Sequence, residues 1–294
     1  MHPDSLIVRY KHLFPELKRL SRAQNVITEE NVYQEANKEI RVYLDQMCAD
    51  NMLPTSEFRH IDHAAEFLAK IKEGKRGIIL MEHYSNFDLP GLMYLLSREG
   101  SVGKELAEHI VAIAGMKLNE ENPYVSAFAE AYSRIIIYPS RSLCSITDPE
   151  KFKEEEKRSR VINLASMRAL DRVRKEGNAV LVFPSGTRYR PGKPETKQGV
   201  REIDSYIRLS DVMLLVSING TCLTFSDDPA DMLGDILRTD RIVMTASPVI
   251  DCNEFRAEAR SWAGDDVEDK KQMVVDYVMK RLEDMHEENE KGRI

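Results

Sequence analysis

The sequence predicts an α/β fold, in which a mostly parallel central sheet is flanked by helices and follows a small helical domain. From residue 77 onward, short apolar runs alternate with helical stretches, which is the order of elements in a parallel α/β sheet. The runs are rich in β-branched residues and apolar on both faces, as in strands that helices cover. Residues before this point show helical spacing only. We therefore predict a helical N-terminal domain over residues 1–75 and an α/β domain over residues 76–294.

The predicted N-terminal domain rests on two helical stretches. The first begins near Thr28, which precedes two glutamates in the manner of a helix cap. Its apolar residues at helical spacing are Val32, Ala36, Ile40, Leu44 and Met47. The second runs from about Glu57 to Lys72 and ends at Gly74. No run in this region has the pattern of a strand, so we expect a helical domain that packs against the segment after it.

Six apolar runs form the predicted sheet. They are Gly77–Met81, Ile110–Ala114, Ile135–Tyr138, Ala179–Phe183, Val212–Ile218 and Ile242–Thr245. A helix that ends before Gly177 is predicted between the third and fourth runs from a stripe of apolar residues. This stripe comprises Val161, Leu164, Ala165, Ala169 and Val173. A C-terminal amphipathic helix is indicated by Val274, Val278, Leu282 and Met285.

Composition narrows the class of protein. The 294 residues are 42% hydrophobic, enough for a sizeable core, and the formal net charge of -7 argues against a general nucleic-acid partner. The four cysteines lie far apart without a C-x-x-C pair, so we expect reduced thiols rather than a zinc site or a disulfide framework. No stretch resembles a secretory signal or reaches the ~18 apolar residues of a spanning helix. We expect a cytoplasmic protein, which would meet a lipid substrate peripherally at the inner face of the membrane or on a carrier.

The first group of chemically active residues lies between His83 and Asp88, directly after the first predicted strand. A histidine at the carboxyl end of such a strand lies at the edge where open α/β sheets bind ligands. A spacing of five does not place two side chains on one helix face, but a strand–turn–helix junction can bring them together. Asp88 would then accept a hydrogen bond from one imidazole nitrogen and leave the other as a general base. The alternative is a core histidine with Asp88 as a helix cap.

The second group is the loop at residues 183–193 (FPSGTRYRPGK), which leaves the fourth predicted strand. Arg188 and Arg190 can bind a phosphate through their planar guanidinium groups, and Lys193 adds a third positive charge. Loop amides can add an anion-binding nest. The positions that would support this loop are Ser185, Gly186 and Thr187. The alternative is a polar surface turn.

A third cationic loop follows the third predicted strand. Arg141, in the segment RIIIYPSR, could join Arg188 and Arg190 around one anion if the loops share an edge of the sheet. Together the three loops describe a general base beside a phosphate anchor. Such a site could activate a hydroxyl of a small phosphorylated substrate.

Three other patterns are weaker indications of function. His60 and His63 resemble a metal-binding pair, but no third ligand is indicated, and we predict no metal site. Ser185 lacks the G-x-S-x-G context of a hydrolase nucleophile. The charged run at residues 151–160 is interpreted as a solvated helix face, with contact to a carrier protein as the alternative.

The two main motifs resemble those of the glycerolipid acyltransferase family. HYSNFD at residues 83–88 resembles its H-x-x-x-x-D motif, and FPSGTRYRPG at residues 183–192 resembles its F-P-E-G-T-R block. TKQGV at residues 196–200 resembles the lysine–x–glycine that follows. The likeness is closest to the soluble plastid-type glycerol-3-phosphate acyltransferases, which carry P-S-G-x-R-x-R-P and a helical N-terminal domain. Arg141 and Ser142 stand where that type has a lysine–histidine pair.

The resemblance implies transfer of a fatty acyl chain from a thioester to a hydroxyl of glycerol-3-phosphate, in phospholipid biosynthesis. His83 would be the base and Asp88 would orient its imidazole. The cations implied at the phosphate are Arg141, Arg188, Arg190 and Lys193. No bound cofactor or metal is implied, since the donor, acyl-ACP or acyl-CoA, is a co-substrate. The implied partners are glycerol-3-phosphate, the acyl carrier protein or coenzyme A thioester and, transiently, a membrane surface, without nucleic acid.

Three alternatives stay open at the level of the sequence. The acceptor could be 1-acylglycerol-3-phosphate (lysophosphatidate), which the same kind of site would bind with an apolar addition for its acyl chain. The protein could be a non-catalytic lipid- or carrier-binding protein on the same fold, although His83 and Asp88 are both present. It could also be a thioesterase, in which water replaces the alcohol and the arginine loops have no obvious use.

Overall fold

Helices and short strands alternate along the chain in the computed structural model, which describes residues 2–24, 26–120, 123–226, 232–264 and 267–293. The strands are β1 (Tyr33–Gln34), β2 (Glu57–Arg59), β3 (Gly77–Met81), β4 (Ile110–Gly115), β5 (Arg134–Ile137), β6 (Ala179–Val182), β7 (Val212–Asn219), β8 (Leu223–Thr224), β9 (Ile236–Leu237), β10 (Val243–Ala246) and β11 (Ile250–Asp251). The helices are α1 (Leu6–Arg9), α2 (Phe14–Leu20), α3 (Lys38–Asn51), α4 (Ile61–Lys72), α5 (Asp88–Arg98), α6 (Gly100–Glu108), α7 (Lys117–Glu120), α8 (Pro123–Glu130), α9 (Ser140–Cys144), α10 (Pro149–Lys175), α11 (Ile203–Arg208), α12 (Cys252–Ala263) and α13 (Lys270–Glu290).

The larger of two compact units contains residues 1–9, 45–110 and 177–294. Its strands follow the order β6-β3-β7-β10-β2, and β11 also pairs with β7. β3 runs parallel to β6 and β7, whereas β10 is antiparallel to β7 and parallel to β2. Leu80 of β3 lies opposite Val182 of β6 and Leu215 of β7. The residues that follow β3 and β6 are therefore presented side by side at one edge of the sheet.

The sheet of the larger unit is apolar because helices cover it. Every residue of β3 and of β7 is buried, and α4 and α13 both pack against β7. Gly77, the first residue of β3, allows a close approach of α4, since a Cβ atom there would lie 2.5 Å from Ile71 and 2.7 Å from Phe67. A buried sheet of this kind needs strands that are mainly apolar, as the sequence pattern indicated, and the polar Ser217 and Asn219 of β7 are buried as well.

The smaller unit contains residues 10–44 and 111–176. Here β5 runs parallel to β4 and antiparallel to β1. α10 packs on β5, and the hydroxyl of Ser166 donates to the carbonyl of Ile136 at 2.6 Å. Asn163 bonds through its side chain to both the backbone N–H and the carbonyl of Tyr138. These polar contacts fix the long helix along the strand and satisfy backbone groups at the strand's end.

The predicted α/β class with a mostly parallel sheet flanked by helices is confirmed, and the six predicted strands match β3, β4, β5, β6, β7 and β10 within one residue at either end. The prediction that residues 1–75 contain no strand is wrong, because β1 and β2 lie there. Strands of two and three residues are too short to give a periodic pattern. The first predicted helix corresponds to α3, which starts at Lys38 rather than near Thr28. At the start of α3, the side-chain oxygen of Asn37 accepts from the backbone N–H groups of Glu39 and Ile40.

Two further helix predictions need correction. The second stretch begins with β2 and becomes helical only at Ile61. The predicted buried stripe of α10 is correct at its carboxyl-terminal end and wrong at its amino-terminal end. Val161 and Leu164 are 46% and 56% exposed, whereas Ile162, Ser166 and Leu170 are buried with the predicted Ala169 and Val173. Two serines on the buried face, Ser159 and Ser166, concealed this register in the sequence.

The predicted boundary near residue 75 does not coincide with a division between the two units, because each unit draws residues from both predicted domains. No helix in the described ranges is long and apolar enough to span a membrane. The four cysteines are free thiols, as expected, and Cys48, Cys222 and Cys252 are buried while Cys144 is exposed.

Candidate active site

His83 and Asp88 meet at the carboxyl end of β3. His83 follows the strand after one intervening residue, and Asp88 is the first residue of α5. The chain turns between them, so His83 Nδ1 lies 2.8 Å from Asp88 Oδ2. The predicted contact across a strand–turn–helix junction is therefore confirmed. Phe87 is the residue that caps α5, and no side chain bonds at that cap.

Asp88 also organises the turn that holds it. Its Oδ2 atom accepts from the backbone N–H of Ser85 at 2.8 Å and from that of Tyr84, and Oδ1 accepts from the hydroxyl of Ser85 at 2.9 Å. The residue is 4% exposed and borders a small cavity lined in part by Phe87 and Met244. Hydrogen bonds in such surroundings are stronger than in water. The carboxylate is thus fixed by several donors before any substrate binds.

This geometry assigns a tautomer to His83. A carboxylate can only accept, so the Nδ1 atom that contacts Asp88 carries the proton. The Nε2 atom then has the free lone pair of a general base. The imidazole stacks on Phe183, with ring centroids 4.0 Å apart and an angle of 15° between the planes. Phe183 follows β6 directly, so the pairing of β3 with β6 brings this ring under the histidine.

The arginine-containing loop is bonded to the histidine loop. The backbone N–H of Tyr189 donates to the carbonyl of His83 at 2.7 Å. Gly186 has a φ of 62°, a left-handed conformation that glycine adopts without strain. The hydroxyl of Ser185 donates to the carbonyl of Thr187 at 2.7 Å. The prediction that these two loops share one edge of the sheet is confirmed. Ser185, Gly186 and Thr187 form the turn that leads from β6 into the arginine-containing loop.

Arg188 is held by a buried carboxylate that the sequence did not indicate. Its guanidinium forms an ion pair with Asp235, and both side chains are almost fully buried. The same guanidinium lies over the ring of Phe225, 4.3 Å from the centroid. Part of its hydrogen-bonding capacity is therefore already used within the protein. Its predicted role at a phosphate stays a prediction.

Arg190 is placed differently from Arg188. It is half-buried, and its guanidinium also faces Phe225, 5.6 Å from the ring centroid. Its Nε atom is buried without a hydrogen-bond partner in the part of the chain that the structure describes. Lys193 is exposed, and its backbone N–H donates to the carbonyl of Arg190 at 2.9 Å. Of the two guanidinium groups on this loop, that of Arg190 has more unused hydrogen-bonding capacity for binding an anion.

A cleft opens beside His83. Its empty volume is about 250 Å³, and its lining includes Glu82, Tyr84, Ser185, Tyr189 and Lys197. The ammonium of Lys197 is 3.0 Å from Glu283 and lies over the ring of Tyr189, 5.6 Å from its centroid. Lys197 is the lysine of the TKQGV segment, and it brings positive charge to the cleft.

Two more groups of residues from the sequence analysis belong to other segments of the chain. Arg141 belongs to the smaller unit, where it is exposed in α9 after β5, and its part in a shared anion site stays a prediction. The pair His60 and His63 does gain a third potential ligand, since their ligand atoms and those of Asp62 lie within 4.8 Å of one another. The positive end of α4 is unfavourable for a cation at this position. We assign no function to these three residues.

Sequence reasoning missed the partners that approach from far along the chain. Asp235 contacts Arg188 from 47 positions further along the chain, and Phe225 contacts it from beyond β7, so no spacing could indicate them. Glu82 and His286 form a contact beside the base, and of the two only Glu82 stands in a sequence context that could have indicated its role. A charged residue at the end of an otherwise apolar strand is unusual, and it marks a buried carboxylate that needs a partner.

Comparison with known families agrees with this geometry. A family model described as Acyltransferase matches residues 62–219, more than half of the chain, and this range includes both the His83–Asp88 turn and the loop at residues 183–193. No individual curated protein matches the chain closely enough to count as a relative.

Proposed function

Because the chain belongs to the acyltransferase family, we propose that this enzyme moves a fatty acyl chain from an acyl thioester to a hydroxyl of glycerol-3-phosphate. Acyl transfer in lipid biosynthesis is the activity of the family, and the identity of the acceptor is the proposal. Its support is a cleft lined by His83, by Ser185 and Tyr189 of the arginine-containing loop, and by the cationic Lys197. The likeness of PSGTRYRP at residues 184–191 to the block of the glycerol-3-phosphate acyltransferases favours that acceptor over lysophosphatidate.

The proposed chemistry starts at His83. Its Nε2 atom removes the proton from the acceptor hydroxyl while the oxygen attacks the thioester carbonyl carbon. Asp88, 2.8 Å from Nδ1, stabilises the imidazolium that forms. The tetrahedral intermediate collapses as the carbon–sulfur bond breaks, and the imidazolium returns the proton to the leaving thiolate. The products are the ester and the free thiol, with no acyl-enzyme, because both substrates are bound together.

The acceptor phosphate is proposed to bind Arg190. Tyr189, its neighbour, is hydrogen-bonded to the carbonyl of His83, so the anion site is linked to the base by a single backbone contact. Arg188 holds the same loop in place through its buried pair with Asp235. Charge-assisted hydrogen bonds from a guanidinium would hold the phosphate and place the hydroxyl at the imidazole. Lys193 is proposed as an outer cation of the same site, and the predicted part of Arg141 stays a prediction.

The single observation that carries the proposal is the contact of His83 Nδ1 with Asp88 Oδ2 at the same sheet edge as the arginine loop. The test is an acyl-transfer assay with acyl-ACP and with acyl-CoA, each against glycerol-3-phosphate and lysophosphatidate. We expect transfer to glycerol-3-phosphate from at least one donor. His83→Ala should fold normally and lose ~10²- to 10⁴-fold in rate.

Arg190→Ala tests the phosphate anchor and is preferable to Arg188→Ala, which leaves Asp235 buried without its partner. It should raise KM for glycerol-3-phosphate strongly and change KM for the donor little. Arg190→Lys should restore only part of the loss, since lysine keeps the charge without the fork. Arg208→Ala, an exposed arginine in α11, is the matched control.

Each alternative gives a different result in the same assay. Transfer to lysophosphatidate alone would replace the proposed acceptor. Release of free fatty acid without an acceptor would indicate a thioesterase, and binding of acyl donor without turnover would indicate a non-catalytic protein. If Arg190→Ala impairs the donor and spares the acceptor, the loop serves the carrier instead.

A further inference from the structure

A second histidine–carboxylate contact lies directly beside the base. Glu82, the residue before His83, is 4% exposed. Its Oε2 atom accepts from the backbone N–H of Ile218 at 2.8 Å and lies 3.1 Å from Nδ1 of His286. Its Oε1 atom accepts from the hydroxyl of Tyr84 at 2.7 Å. The proposed mechanism uses none of these contacts.

The three side chains form one connected cluster. The hydroxyl of Tyr84 is also 3.3 Å from Nδ1 of His286, and the two rings are 5.5 Å apart. His286 lies on α13, and its backbone carbonyl accepts from the side chain of Asn219 on β7 at 2.9 Å. α13 therefore contacts both chain neighbours of the base, Glu82 before it and Tyr84 after it.

A buried carboxylate requires a compensating charge or several hydrogen bonds. Two of the donors to Glu82 are neutral, the N–H of Ile218 and the hydroxyl of Tyr84. Burial and the nearby Glu82 raise the pKa of Tyr84, so its hydroxyl keeps the proton that it donates. His286 is the contact of Glu82 that can supply a positive charge, and its side chain is 28% exposed.

From these contacts we infer that His286 is a positioning residue for the acyltransferase reaction, which in its protonated form clamps Glu82 and Tyr84 and so fixes His83 between them. The inference rests on the proposed role of His83 as the base. Glu82 and Tyr84 are the two chain neighbours of His83, and Tyr84 is bonded to Asp88 through its backbone N–H. When the clamp holds both neighbours, the histidine backbone has little freedom to move away from the acceptor.

The charges around His286 determine how the clamp depends on pH. Its hydrogen bond to Glu82 raises the pKa of His286 above the ordinary value of 6.5, and the charges of Glu82 and Glu290 act in the same sense. Burial and Lys197 act in the opposite sense. Glu283, which pairs with Lys197, reduces the effect of that cation on the cluster. The charge pair of the clamp is therefore fully present below pH 6.5 and is lost as the pH rises through the raised pKa.

The test is the pH dependence of kcat for acyl transfer, measured on the wild-type protein, His286→Gln, Glu82→Gln and the double variant. Both single variants keep a polar side chain of similar shape and remove the charge pair. We expect each to lower kcat by ~10-fold or more below pH 6.5, because small displacements of a reacting group are costly. KM should change little. The alkaline decline of kcat in the wild type should disappear in both, and the double variant should be no slower than either one.

His109→Gln is the matched control, since His109 is a half-buried histidine in the same unit whose Nδ1 contacts only the carbonyl of Glu105 in the described residues. It should leave kcat and its pH profile unchanged. An alkaline decline that persists in His286→Gln and Glu82→Gln, or losses that add in the double variant, would overturn the inference. Failure of the wild-type protein to transfer acyl groups at any pH would instead contradict the proposed function.

Discussion

Replacing Asp88 by asparagine removes the negative charge at the imidazole and keeps the shape of the side chain. The contacts of Asp88 determine how the asparagine will sit. Its Oδ2 position receives the N–H of Ser85, the N–H of Tyr84 and Nδ1 of His83, whereas the Oδ1 position faces only the hydroxyl of Ser85. The amide oxygen must therefore occupy the Oδ2 position, because an amide NH₂ there would face three donors. The histidine keeps its acceptor and hence its tautomer.

The expected loss follows from this orientation. A hydrogen bond to a charged group contributes about 1.5–3 kcal/mol and a neutral one about 0.5–1.5 kcal/mol, so the imidazolium loses about 1–2 kcal/mol of stabilisation. At 1.36 kcal/mol per factor of ten, kcat should fall by about 5- to 30-fold. His83→Ala removes the base itself and should be slower by ~10²- to 10⁴-fold. The two variants are therefore expected to differ clearly.

The measurement is single-turnover release of thiol from the acyl donor in the presence of glycerol-3-phosphate. Asp251→Asn is the matched control, since Asp251 caps α12 by accepting the N–H groups of Asn253 and Glu254 with no histidine involved. It should keep wild-type kcat. If Asp88→Asn is as slow as His83→Ala, the histidine has lost its tautomer and the orientation argument is wrong. If it is as fast as the wild type, the charge does not stabilise the imidazolium.

Three further predictions concern stability. Arg188→Ala should lower the free energy of unfolding by about 3–5 kcal/mol, because buried Asp235 loses its partner; an unchanged urea midpoint would contradict this. Gly199→Ala should cost about 1–3 kcal/mol, since its Cβ would meet the side chain of Val275, and an unaltered Tm would refute that close contact. The difference in Tm between wild type and His286→Gln should be full below pH 6.5, the ordinary pKa of histidine, and vanish as the pH rises through the raised pKa. A difference that grows with pH would show the opposite sign of coupling.

Local patterns predicted the elements of the fold that are long and periodic. The apolar runs of β3 and β7 predicted their strands to within a residue, because burial on both faces makes nearly every position of such a strand apolar. The strand–turn–helix junction predicted that His83 could reach Asp88, since the geometry depends on only six consecutive residues. The motifs around it then supplied the class of reaction through the resemblance to a known family.

Contacts between distant segments could not be predicted from the sequence. Asp235 approaches Arg188 through tertiary packing, and nothing in its own segment marks it as the partner of an arginine. The stripe of α10 was misplaced because Ser166 is buried through a hydrogen bond to Ile136, and a serine does not count as apolar in a periodic pattern. β1 and β2 depend on the strands they join rather than on their own few residues.

The contact of α13 with Glu82, the residue before the base, also determines when the site can be completed during synthesis. During synthesis Glu82 emerges 204 positions before its partner His286. At about 5–20 residues per second, the nascent chain carries Glu82 for roughly 10–40 s before the helix that neutralises it exists. The buried position of Glu82 therefore cannot be completed as the first strands are made. Assembly of the surroundings of His83 is coupled to the emergence of the C-terminal helix, and a ribosome-bound chain that lacks this helix holds the histidine without its full support.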